Sequence, residues 1–150
     1  MASEALRAKI LLGSEKEKAS RVAGGLVGAS LEGYRRGDDF PDWVPVAQKS
    51  VLYMDSVPDA RIPDSVDDAE VDAWCVGVLA SAGVTGRFYC STGMANFPWA
   101  EVRVLGEGWM RSLRSLLGSD LYFLAADRTS MVAIFEEEYE YVAFVRRDGA

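Results

Sequence analysis

LYFLAADRTSMVAIFEEEYEYVAFVRR, residues 121–147, decides the fold. It is dense in aromatic and β-branched residues, which favour a pleated and half-buried surface. It reads as three strands over residues 121–126, 131–136 and 139–146. Asp127, Arg128, Thr129 and Ser130 join the first two, because Asp, Thr and Ser side chains bond their own backbone in tight turns. The second connection is very short and lies inside a run of glutamates. In the last strand Tyr139, Tyr141, Ala143 and Val145 alternate with Glu138, Glu140, Val142 and Phe144, so both sets contain apolar residues. A sheet covered by helices on one face and partly exposed on the other accounts for that pattern.

Working outward, residues 107–117 return to helical spacing. Met110, Leu113, Leu116 and Leu117 point inward, Arg111 and Arg114 point outward, and Gly118 ends the helix. With Arg103 these arginines are the only hint of a basic cluster, and a solvated helix face is the expected arrangement. Residues 86–91 and 99–105 read as two further strands. Residues 65–82 carry the clearest helix, with Ser65 as its cap, acidic residues Asp67, Asp68 and Glu70 at its positive end, and an inner stripe of Val71, Trp74, Cys75, Val78, Leu79 and Ala82. Residues 38–63, punctuated by Pro41, Pro45, Pro58 and Pro63, read as loop with a short helix at 46–54. Phe40 and Trp43 serve there as anchors to the core or as an exposed aromatic contact.

The N-terminal third reads as helix. Residues 3–12 are expected to stop at Gly13, and a capping box formed by Ser14 and Glu17 starts a second helix that runs to Gly37. Gly24, Gly25, Gly28 and Gly33 each cost about 1 kcal/mol in a helix, so that segment is either packed closely through its small face or broken near Gly24. The whole is an α+β fold in a single compact domain spanning residues 1–150. The N-terminal half is helical, and an antiparallel sheet of about five strands occupies the C-terminal half, packed against N-terminal and central helices.

Composition narrows the chemistry. No histidine is present, which removes histidine-based triads and the commonest metal-ligand patterns. The two cysteines, Cys75 and Cys90, fall in a helix and a strand and read as buried free thiols. No metal or cofactor motif stands out: Ser91-Thr92-Gly93 is not a nucleophile elbow, and GGLVG at 24–28 lacks the lysine that ends a phosphate loop. Paired carboxylates remain the one catalytic option, with Glu101, Asp127, Glu136 and Glu138 as candidates. Lys and Arg total 16 against 23 Asp and Glu, a formal charge of −7. A field of that sign repels nucleic acid and anionic membrane and attracts basic proteins. No apolar run is long enough to span a bilayer, and the N-terminus has too short an apolar core for a signal peptide, so a cytoplasmic protein is expected.

Glu136, Glu137, Glu138, Tyr139, Glu140 and Tyr141 interleave carboxylates with phenols, a surface suited to Lys and Arg through charge pairing and cation–π contact. The same charges on a hairpin edge deter strand addition by another chain. In size, acidity and the closing AADRTSMVAIFEEEYEYVAF hairpins, the chain resembles the small immunity proteins of bacterial toxin systems. That resemblance implies a non-enzymatic protein that neutralises a basic partner, a toxin, by stoichiometric blockade. The alternatives are a small carboxylate-dependent enzyme and a homo-oligomeric adaptor domain.

Overall fold

A computed structural model describes residues 3–149. The order of elements is α1 (Glu4–Gly25), β1 (Ala29–Arg35), a 3-10 turn (Gly37–Asp39), α2 (Trp43–Ser50), β2 (Ala60–Pro63), α3 (Asp68–Ser81), β3 (Arg87–Ser91), β4 (Trp99–Val104), α4 (Trp109–Leu117), β5 (Leu121–Ala125), β6 (Ser130–Glu137) and β7 (Glu140–Arg147). The strands form one antiparallel sheet of seven in the order β1-β4-β3-β5-β6-β7-β2. The fold is α+β, with its helices N-terminal and central.

The five strands expected in the C-terminal half are all present, and the sheet gains two more from the N-terminal half, one at each edge. At one edge, the segment read as the end of a long helix is β1. Gly28 explains the break: its φ is +71°, and a Cβ there would lie 2.1 Å from the carbonyl oxygen of Glu107. Only glycine can bring the chain so close to the β4–α4 connection and turn it back along β4. Gly13, by contrast, does not stop α1, which runs through it to Gly25. At the other edge, β2 lies in the proline-punctuated stretch read as loop, and Pro63 is tolerated because an edge strand has one side without a ladder. The acidic cap of α3 is Asp67, whose side chain accepts from the Glu70 amide, rather than Ser65.

Both faces of the sheet are covered. On one, α3 and α4 seal a core that contains Val71, Cys75, Leu79, Phe88, Phe123 and Leu113. On the other, Phe40, Val44, Ala47 and Val51 pack onto Tyr89, Trp99, Leu124, Met131, Ala133, Val142 and Phe144. The α2 segment thus closes the face expected to be partly open. This is why β7 carries apolar residues at both parities: Tyr141 and Ala143 face α3 and α4, while Val142 and Phe144 face the α2 layer. Phe40 is an anchor, set edge-on to Tyr89 and Trp99 at 4.8 and 5.4 Å. Trp43 is partly buried against the same cluster.

α1 is tied to the body along its second half. Glu15 is buried, and its carboxylate accepts from the amides of Ala95 and Asn96 and from Asn96 Nδ2. Those bonds, that from the Asn96 amide foremost, hold its pKa below the ordinary carboxylate value. Tyr34 donates its hydroxyl to the Ala19 carbonyl, and Ser112 of α4 bridges Gly25 and Val27.

Candidate partner-binding site

The β6–β7 hairpin distributes the six residues singled out from sequence between two roles. Tyr141 is buried and points into a polar chain that begins on the helices. Arg114 of α4 donates to Asp72 Oδ1 at 2.5 Å and to the Tyr141 hydroxyl at 3.2 Å, and its guanidinium lies 5.2 Å from the tyrosine ring centroid. The Tyr141 hydroxyl in turn donates to Glu136 Oε2 at 2.9 Å. Burial, reinforced by the bond to Glu136, pushes the Tyr141 pKa up. Glu140 is held by Arg61 of β2, whose Nη1 reaches both carboxylate oxygens at 2.8 and 3.1 Å.

Glu137, Glu138 and Tyr139 form the tip, and all three are exposed. Glu137 and Glu138 make no ion pair with any described residue. Tyr139 is 75% exposed, and its φ of +72° places it in the left-handed region. For an aromatic residue that conformation costs about 1 kcal/mol or more. Neither burial nor turn geometry accounts for a tyrosine at this position.

Beside the tip, a groove of about 530 Å³ lies between the hairpin and the segment that follows α2. Glu137, Glu138 and Glu140 line one side and Leu52, Tyr53 and Met54 the other, with Phe135 and Phe144 also contributing. Leu52, Tyr53, Met54 and Val57 are 66, 64, 104 and 74% exposed. Such a group of exposed apolar residues marks an interaction surface more often than a lone one does. Sequence reasoning missed them because residues 46–54 read as a short helix, whereas the helix is Trp43–Ser50 and residues 52–54 lie beyond its end. The signal available was the apolar run Leu52-Tyr53-Met54 following the buried Val51 inside a stretch punctuated by prolines.

The other candidate groups are dispersed. Glu101 is buried on β4 and pairs with Arg35 at 3.3 Å. Asp127 is exposed in the β5–β6 turn, where the Thr129 hydroxyl and amide bond its carboxylate and hold its pKa low. Arg111 and Arg114, expected on a solvated face, are taken up by Asp68 and Asp72 of α3. Arg103 lies apart from them, opposite Arg87 in the β3–β4 ladder. Cys75 and Cys90 are free and buried. Burial pushes the Cys75 thiol up to about 11 and Cys90 higher still, so neither is a reactive thiolate. Among the described residues no group of three or more Cys, Asp or Glu is arranged to hold a metal ion, and no helix is long and apolar enough to cross a membrane. No protein-family model, curated protein or solved structure matches the chain.

Proposed function

We propose that this protein is a non-enzymatic binding protein that neutralises a basic partner, in the manner of an immunity protein that blocks a bacterial toxin in the cytoplasm. The observation that carries this reading is the β6–β7 tip. Two carboxylates without internal counter-ions stand beside a strained and exposed tyrosine and border a groove with one apolar wall. Residues that a fold does not use, held at a cost in a conformation it disfavours, point to a partner outside the fold. The charge chooses the partner: free carboxylates beside phenols favour Lys and Arg, and the formal charge of −7 steers a basic protein toward the surface. The apolar wall adds area that loses water on contact, which charge alone does not supply.

Affinity capture from the native cells, with wild-type protein and with Glu137→Lys plus Glu138→Lys, tests the proposal. Glu136 and Glu140 are left alone because Tyr141 and Arg61 use them internally. The expected result is a basic protein recovered in equimolar complex with the wild type and lost with the charge-reversed variant. That partner is expected to be toxic when expressed alone and harmless when co-expressed with the wild type. Recovery unchanged by charge reversal would refute the site. A recovered partner without toxicity would leave an acidic binding protein and remove the immunity role.

A further inference from the structure

The first turns of α1 carry exposed apolar side chains, and a cleft with a partly apolar lining lies at the far end of the same helix. Every residue from Ser3 to Leu11 is exposed, and Leu6, Ile10 and Leu11 are 48, 61 and 45% exposed. Beyond Glu15, whose bonds to Ala95 and Asn96 are the outermost buried tie, the helix continues as an arm about 16 Å long at ~1.5 Å per residue. Two to three turns of helix are marginal in water on their own, so such an arm draws stability from whatever packs on it.

The cleft, of about 860 Å³, lies between α3 and the β4–α4 connection. Ala69, Ala73, Val76, Leu105 and Trp109 supply its apolar lining. Leu105 is 64% exposed, and Val27, equally exposed, sits against this connection, where a Cβ on Gly108 would lie 3.6 Å from its Cγ1. The arm cannot reach the cleft of its own chain. The α1 C-terminus adjoins the cleft through Gly28 and Glu107, and the middle of the arm lies about 25 Å back along a straight helix.

We infer that the arm of one copy fills the cleft of a second copy, and that two copies pair about a two-fold axis with their α1 helices antiparallel. In that arrangement each arm lies beside the C-terminal end of the other α1, where the cleft opens, and both apolar surfaces are covered twice in a closed dimer. The charges agree. The arm carries Arg7 and Lys9 against Glu4, while at the cleft Asp68 and Asp72 are matched by Arg111 and Arg114 and leave Glu70 and Glu107 without an ion pair to any described residue. The dimer uses the β1 side of the molecule and leaves the β6–β7 tip free, since β7 lies next to the opposite edge. It therefore stands or falls separately from the partner-binding proposal.

Sedimentation of the full chain across a wide concentration range tests it, with circular dichroism to confirm that each variant is folded. The wild type is expected to reach twice its monomer mass of 16.4 kDa. Leu6→Asp with Ile10→Asp in the arm, and Leu105→Asp in the cleft, are each expected to weaken the dimer by about tenfold or more. Mixing the two variants is expected to restore a dimer, because the mixed pair keeps one intact arm and one intact cleft in register. A wild type that remains monomeric at high concentration overturns the inference. So does a dimer indifferent to these substitutions, or a mixture that fails to complement, which would instead indicate arm packed on arm.

Discussion

Two turns of the C-terminal sheet share one backbone anomaly and resolve it differently. Among the described residues, Arg128 in the β5–β6 turn and Tyr139 in the β6–β7 turn are the non-glycine residues with positive φ, at +63° and +72°. Arg128 has internal reasons to be there. Its guanidinium donates to the Asp39 carbonyl at 2.9 Å and to the Tyr89 hydroxyl at 3.5 Å, and it lies 5.0 and 5.5 Å from the Phe40 and Tyr89 ring centroids. The strained turn thus clamps the α2 layer onto the sheet. The Tyr139 side chain has no such contacts and its ring is in solvent; only its backbone carbonyl is used, accepting from the Asp64 amide at 3.0 Å. The same division runs through the charges: Asp68 and Asp72 of α3 are matched by Arg111 and Arg114, whereas Glu137 and Glu138 at the tip have no ion pair with any described residue. Density of charge in the sequence therefore does not locate a binding surface. The partner-binding proposal rests instead on charge and strain left without an internal use.

The largest test of this contrast removes the surface that Arg128 clamps. Phe40→Ala, at a buried position between Tyr89 and Trp99, is expected to destabilise the fold by about 3 kcal/mol in urea unfolding, through lost burial and a residual cavity. Arg128→Ala keeps the unfavourable φ but loses the hydrogen bonds and stacking, with an expected loss of roughly 1 to 2 kcal/mol. Tyr139→Gly should act in the opposite direction. Glycine adopts φ of +72° without strain, so stability is expected to rise by about 0.5 to 1 kcal/mol while partner capture weakens. A loss of stability on Tyr139→Gly would show that the tyrosine serves the fold after all.

The smallest effect is in pH dependence. Because Thr129 holds Asp127 below its ordinary carboxylate value, the unfolded chain binds this proton more readily than the folded one. The stabilisation is complete above the ordinary value of 3.8 and is lost as pH falls through the lower, folded value. In Asp127→Asn that part of the acid-induced fall in Tm is expected to disappear, leaving Tm at neutral pH only slightly lower.

What the sequence shows depends on how local each cause is. The three C-terminal strands, the turn at Asp127 to Ser130, the strands at β3 and β4 and the helix α3 follow from alternation, turn chemistry and helical spacing, all of which act within a few residues. β1 and β2 are not legible in that way. Each is an edge strand paired with a neighbour far along the chain, Ala29 with Val104 and Ala60 with Ala143; β2 is only four residues long, and the alternation of β1 is interrupted by a bulge between Leu31 and Gly33. The run of glutamates was visible as a candidate surface, but its division into Glu136 and Glu140, held internally, and Glu137 and Glu138, left free, depends on where Tyr141 and Arg61 arrive. The exposed Leu52 to Met54 wall was hidden for a related reason: whether an apolar run is core or surface is set by what packs over it.

The sequence by itself determined the α+β class, the hairpins that dominate the sheet, the burial of both cysteines and the sign of the electrostatic field. Those follow from composition and from periodicities of two and 3.6 residues. Only the tertiary structure decided that both sheet faces are covered, that α1 projects as an arm past its last tie at Glu15, and which carboxylates lack a cation. Ion pairs and exposure are matters of distance between segments remote in sequence, and distance exists only once the chain has folded.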